Sequence, residues 1–376
     1  MIFKLLKSAL SGQECREAQE LDRGAWEIIY KISKEHDLAH IIGYALRTLD
    51  IKIDEDLGKA FEKSASVATF RYMQSAYELD AIANALENAE ICFMPLKGSV
   101  LNKYYKEPWL RTSCDIDILV KKQDLEKATS VLVSELGYEL KPSSTMHDVS
   151  IMSPSGVHLE LHFELNEENF KESALLTSVW ESGELENTGY HYTMTNELFL
   201  FFHIYHMAKH FKNGGCGIKP LLDLWIIRNK MGYDEKKATA MLEREGHLTF
   251  YQNTLALSNV WFEGASHTEL TRQMQAFILH GGVYGTIDQN VVMSQTEKGR
   301  FRRLIERIFL PYKKLAVRYP ILKKCPPLYP IYTVIRWFRI LFSKDRDRAF
   351  DEIKTNQSIS QNEIDQARDL INKLGL

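Results

Sequence analysis

The sequence lacks most of the short signatures that would settle its chemistry at once. Its five cysteines, Cys15, Cys92, Cys114, Cys216 and Cys325, are odd in number, widely spread and never form a C-x-x-C pair. That excludes a zinc ribbon and argues against a disulfide framework, so a reducing, cytoplasmic setting is expected. No apolar run approaches the roughly 18 residues of a membrane span, and the opening MIFKLLKSAL is interrupted by Lys4 and Lys7 before a signal-peptide core can form. Neither G-x-x-x-x-G-K-[ST] nor H-R-D occurs, so P-loop and protein-kinase chemistry lack support. H-E-x-x-H is absent as well.

What is present is a chain of 376 residues, 45% hydrophobic, able to bury a large core in two or three lobes. Its net charge of −3 hides an asymmetry: Lys298 to Arg348 holds 15 Lys or Arg against Glu306, Asp345 and Asp347, a local +12 that leaves −15 elsewhere. Such a segment either meets an acidic, phosphate-rich partner or packs against the acidic remainder. Within it, Ile331 to Phe342 reads as an amphipathic helix after a proline-broken stretch; membrane-surface binding is one reading, and a strip tying the C-terminal lobe to the rest is preferred, because so many apolar residues should not stay in water.

Residues 1–88 read as a helical lobe from apolar spacings of three and four. His36 and His40, four apart, read as surface histidines of one helix. From Thr195 the chain is helical again, with His203, His206 and His210 on one face; packing, cleft lining and a metal site all remain open for them. The expected organisation is an N-terminal helical lobe (1–88), a catalytic core (89–190), a C-terminal helical domain (191–297) and a basic segment packing on the lobes (298–376).

The informative stretch is ICFMPLKGSVLNKYYKEPWLRTSCDIDILV, residues 91–120. A short apolar run ends at Pro95, and Gly98-Ser99 then allow a sharp turn into a helix expected from Val100 to about Tyr105. Backbone N–H groups and the helix dipole would favour an anionic phosphate there, with Lys97 and Ser99 as further donors. Asp115 and Asp117, two apart on a strand, share one face while Ile116, Ile118 and Val120 face the core. Two carboxylates so close suit a hard cation such as Mg²⁺. Downstream, Asp124 opens a helix stopped by Gly137, and a hairpin turns at Ser153-Pro154-Ser155-Gly156. Its second arm, VHLELHFEL, alternates fully: Val157, Leu159, Leu161, Phe163 and Leu165 on one side, His158, Glu160, His162 and Glu164 on the other.

These residues resemble the nucleotidyltransferase superfamily with the DNA polymerase β type fold, in which a Gly-Ser turn precedes Asp-x-Asp. More closely, PLKGSVLNKYY, LRTSCDIDILV, LEKATSVLVSELGY and HLELHFEL resemble a bacterial nucleotidyltransferase family marked by Leu-Lys-Gly, Arg-x-x-x-Asp-x-Asp and Glu-x-His, over roughly Leu86 to Leu165. One departure is the gap of fifteen residues between Ser99 and Asp115, longer than usual in the superfamily.

The resemblance implies an α+β fold: a small mixed or antiparallel nucleotidyltransferase sheet with helices on one face, flanked by helical lobes. It implies catalytic and metal-holding roles for Asp115, Asp117 and Glu160, with Mg²⁺ or Mn²⁺ as cofactor and an NTP, ATP first, as substrate. Nucleotide contacts are expected from Lys97, Gly98, Ser99, Arg111, His162, Lys209 and Lys219, Arg111 either touching phosphate or buttressing the aspartates. The acceptor stays open among small molecule, peptide, protein and RNA. Two rivals stand beside this reading: a nucleotide-binding regulatory or toxin-like module acting on a protein or RNA, and a phosphotransferase.

Overall fold

The computed structural model describes residues 1–141, 147–166, 170–186, 189–283, 285–298, 305, 308–342 and 358–376. Parts of the basic segment, 299–304, 306–307 and 343–348, therefore lie outside the described residues. The fold is α+β, a five-stranded mixed sheet flanked by helices on both sides in sequence.

Four helices come first: α1 (Ile2–Ser11), α2 (Arg23–Glu35), α3 (Ala39–Thr48) and α4 (Glu55–Asn88). Asp22 caps α2 by accepting the Ala25 N–H at 2.8 Å. The single helix expected across His36 and His40 is broken, because Asp37 takes a left-handed conformation with φ 53°. Both histidines are buried rather than on the surface: His36 closes α2 and His40 lies in α3, where its Nε2–H donates to the Leu110 carbonyl at 2.9 Å.

The sheet follows: β1 (Phe93–Pro95), helix α5 (Gly98–Leu101), β2 (Asp115–Val120), α6 (Leu125–Leu136), β3 (Glu139–Leu140), β4 (Asp148–Met152) and β5 (His158–His162). Strand order is β1-β2-β5-β4-β3. β2 and β5 run parallel, with Asp117 opposite Glu160 and Asp115 opposite His158, whereas β4 and β5 form the expected antiparallel hairpin. Gly137, at φ 68°, ends α6 where left-handed backbone is needed.

Alternation along β2 divides its side chains between two environments. Ile116, Ile118 and Val120 pack with Leu159 and Leu161 against Ile82 and Leu86 of α4 and Ala128 and Leu132 of α6. Asp115, Asp117 and Leu119 occupy the other face, where Leu119 joins Met94 in the larger helical core. That face is therefore closed by apolar packing at one end and acidic at the other.

Two short helices, α7 (Ala174–Thr177) and α8 (Val179–Ser182), and a two-stranded ribbon, β6 (Glu184–Leu185) with β7 (Tyr192–Thr193), lead into the helical C-terminal half. It contains α9 (Asn196–Lys212), α10 (Lys219–Ile226), α11 (Glu235–Arg244), α12 (Leu248–Glu263), α13 (Glu269–Gly281) and α14 (Ile287–Lys298). One continuous core joins these to the N-terminal helices: Leu5, Trp26 and Leu38 belong to the same cluster as Phe201, Phe250 and Leu374, and the rings of Phe3 and Trp261 stack at 4.1 Å. The basic segment contributes α15 (Tyr312–Arg318), α16 (Ile321–Lys324) and α17 (Tyr329–Leu341), which gather around their own small core of Leu315, Ala316 and Leu322. The last helix, α18 (Gln361–Leu374), starts from a Ser360/Glu363 capping box and docks Leu370, Ile371 and Leu374 on the main core. Among the described residues no helix is long and apolar enough to cross a membrane.

Candidate active site

Local backbone geometry prepares the site before any long-range contact is made. Lys97 sits at φ 48° and ψ −118°, a conformation that costs a side-chain-bearing residue about 1–3 kcal/mol and that recurs where function over-determines the backbone. Gly98 follows, and any Cβ there would stand 2.2 Å from Ser113 Oγ and 3.3 Å from its Cβ, so a larger residue would force Ser113 to move. The helix this turn opens is shorter than expected, four residues followed by a 3-10 turn over Asn102–Tyr104. Its N–H groups are also less available for an anion: Ser99 and Val100 donate to the carbonyls of Leu96 and Lys97, each at 3.2 Å.

The strand register then brings three carboxylates to one face. Asp117 and Glu160, with His162, place ligand atoms within 4.8 Å of one another, and so do Asp115, Glu160 and His158. Glu160 belongs to both groups. Asp117 is nearly inaccessible and is held by two cations, Lys97 Nζ at 2.7 Å and His162 Nε2 at 2.9 Å, both on Oδ1. His162 Nε2 also lies 3.5 Å from Glu160 Oε2.

Electrostatics distinguish the two aspartates. Burial would raise the pKa of Asp117, but Lys97 and His162 outweigh it and hold the carboxyl well below the usual range. Asp115, pushed first by burial and then by the charges of Asp117 and Glu160, rises to about 6. Burial disfavours charge on His162, yet its bonds to Asp117 and Glu160 lift it to about 9, so it is a cation at neutral pH. Lys97 is likewise opposed by burial and raised by Asp117. Three acidic side chains thus face two cations. That excess of negative charge fits a divalent ion, and carboxylate oxygens are the donors that Mg²⁺ or Mn²⁺ prefers, with His162 as a charged neighbour rather than a ligand.

Arg111 has a different partner from either one expected. Its Nε donates to Asp223 Oδ1 of α10 at 2.7 Å, and the Tyr105 hydroxyl donates to the same oxygen at 2.6 Å. Its Nη1 donates to the Thr112 carbonyl and reaches Ser113 Oγ at 3.5 Å, bracing the loop that presses on Gly98. Lys219 donates to Asp37 Oδ2 at 2.7 Å and to Thr112 Oγ1 at 3.0 Å. Asp37, Thr112 and Tyr105 were outside the expected site, whereas Asp223 lies in the segment from Lys219 that was expected to line the cleft and does line the smaller cavity. Only the run Arg111-Thr112-Ser113 ahead of Asp115 hinted that this loop does more than connect.

Two cavities flank the carboxylates. One, about 160 Å³, is walled by Lys97, Leu101 and Arg111 on one side and by Phe199, Phe202, His203, His206, His210 and Lys219 on the other. His203 Nε2–H donates to the Pro220 carbonyl at 2.9 Å, and His206 and His210 bring their Nε2 atoms to 2.9 Å. Lys209, on the same helix, is outside this lining. The second cavity, about 280 Å³, holds Gly98, Ser99, Asn102, Ser113 and Asp115, together with Arg71 and Tyr72 of α4. Arg71 was not anticipated, because a single arginine on a long amphipathic helix carries no motif. Further along the sheet, His147, Asp148 and His162 form a third group with metal-ligand spacing, His147 Nε2 standing 3.2 Å from Asp148 Oδ2.

The chain is therefore an α+β protein whose carboxylates converge on a cleft between sheet and helices. Comparison with known proteins gives the class. A family profile described as uncharacterised nucleotidyltransferase matches residues 22–263, well over half of the chain. The protein belongs to that family, and the match supports a nucleotidyl-transfer role. No curated protein and no solved structure matches it.

Proposed function

We propose that the protein transfers a nucleoside monophosphate from an NTP, ATP first among them, to a nucleophilic acceptor with release of pyrophosphate. The observation that carries this reading is the register of β2 and β5, which sets Glu160 opposite Asp117 and beside Asp115 next to the Gly98 turn. Asp115, Asp117 and Glu160 would hold Mg²⁺ or Mn²⁺. When bound, the metal supplies Lewis-acid activation of the acceptor oxygen and neutralises charge on the leaving pyrophosphate.

The chain's own residues do the rest. Gly98 and Ser99, sharing a cavity with Asp115, cradle the β- and γ-phosphates, and Arg71 adds charge at the same wall. Lys97 neutralises Asp117 from a position where it also lines the smaller cavity, and Arg111, oriented by Asp223 and Tyr105, offers fixed positive charge there. Glu160, half-exposed and next to Asp115, is placed to accept the acceptor's proton, while His162 orients Asp117 and Glu160. Lys219, held at the wall of the smaller cavity by Asp37 and Thr112, offers its charge to a phosphate there, and Lys209 lies outside that lining.

Incubation with each α-labelled NTP tests the reading against its rivals. Label passing to an acceptor with pyrophosphate release supports it. Release of NDP would mean a phosphotransferase, and Mg²⁺-dependent binding without turnover across a broad acceptor set would mean a regulatory module.

A further inference from the structure

The basic segment is arranged in the opposite sense from the rest of the molecule. Residues 308–342 contain seven Lys or Arg and no Asp or Glu. Their helices bury only a small core, toward which α17 turns Tyr329 and Tyr332 together with its polar Thr333 and Arg336. Thr333 and Arg336 are buried, and Arg336 Nη1 and Trp337 Nε1 donate to the Ile308 carbonyl at 3.3 and 2.7 Å. The outward side carries Ile331, Val334, Ile335, Phe338 and Phe342, recurring every three or four residues within an arc of about 100°. All five are exposed, Phe338 at 58% and Phe342 at 85%. A helix whose only neighbour is water would turn this stripe inward, as α18 does. Exposed Arg339 borders the stripe on the same helix, and Arg318, Lys323 and Lys324 are exposed on the neighbouring turns.

We propose that this face is a docking surface for an anionic lipid bilayer. The occupant follows from the two properties together. An apolar stripe with Arg339 at its border, on a segment whose other exposed charges are all positive, matches the interior and the headgroups of a negatively charged membrane, where apolar burial and charge attraction add. A run of 35 residues with no carboxylate suits a uniformly negative surface better than the mixed charges of a protein rim. The helix lies in the interface: thirteen residues span about 20 Å, short of the roughly 30 Å hydrocarbon layer.

The test is co-sedimentation of the full chain with vesicles of phosphatidylcholine alone or mixed with phosphatidylglycerol. Binding is expected to the anionic vesicles, weakening as salt is raised. Phe338→Glu should lower the partition coefficient at least about tenfold, and Lys323→Gln with Lys324→Gln roughly tenfold or more. Both sets of positions are exposed, so far-UV circular dichroism of the variants should be unchanged. Absence of binding to anionic vesicles overturns the proposal, and so does binding that Phe338→Glu leaves intact. A native dimer that Phe338→Glu turns into a monomer would assign the face to a second copy of the chain and overturn it equally.

Discussion

Two clusters of charge stand close together behind the loop of Arg111 to Ser113, and they obey different arithmetic. In the sheet, Asp115, Asp117 and Glu160 meet two cations, Lys97 and His162. Between α3, the Arg111 loop and α10, Asp223 and Asp37 meet Arg111 and Lys219 one for one, with Tyr105 and Thr112 completing the hydrogen bonds. The second cluster is self-sufficient, and such a cluster braces a fold. The first is left negative at a concave surface, and that surplus is what a cation-dependent site requires. An aspartate in one cluster is therefore a different object from an aspartate in the other.

Substituting them in parallel should break the comparison most sharply. Asp115→Ala is expected to lower nucleotidyl transfer by about 10³-fold or more, because the proposed site loses one of its metal-holding carboxylates. Its melting temperature should hold or rise, since a like-charge neighbour is removed. Loss of transfer together with early melting would refute the assignment of Asp115 as a surplus charge. Asp117→Ala should abolish transfer as well, but here two buried cations lose their partner, so denaturant unfolding should also show a loss of about 3–5 kcal/mol. Asp223→Ala belongs to the bracing cluster and is expected to cost a similar amount, about 3–5 kcal/mol, by stranding Arg111 and Tyr105. Retained stability in that variant would show that the second cluster is not a brace.

Acid probes the same brace from beneath. Burial drives the pKa of His40 from 6.5 down to about 4. Between those values the unfolded chain binds a proton that the folded chain refuses, so stability is complete above pH 6.5 and is lost as pH falls toward 4. From about pH 7 to about pH 5 the loss should be roughly 2 kcal/mol, and His40→Gln should remove that part of the slope in thermal melts. The smallest effect is expected from Lys219→Gln. Its partner Asp37 is 38% exposed at the side chain, so water screens the pair and unfolding should shift by no more than about 1 kcal/mol.

Legibility in the sequence followed contact distance along the chain. The Gly98 turn, the pairing of Asp115 with Asp117 on one face and the placement of Glu160 and His162 together on the face opposite Leu159 and Leu161 could all be read, because two-residue alternation and glycine chemistry are local properties. The helix expected from Val100 begins two residues earlier and tightens into a 3-10 turn over Asn102–Tyr104, a change its composition does not signal. His36 and His40 were read as surface residues of one helix because spacing alone cannot register a left-handed Asp37. The apolar residues of α17 were expected to be covered by the protein, on the sound rule that such stripes are buried; the structure leaves them outside.

The sequence by itself determined the periodicities: which segments are strands or helices, where glycine lets the chain turn, and which carboxylates share a face. Tertiary structure alone decided which charges meet. Arg111 and Asp223 are 112 positions apart and Lys219 and Asp37 are 182 apart, so no local rule could pair them. Their proximity arises only when the helical core closes over the sheet and burial obliges each charge to find a partner.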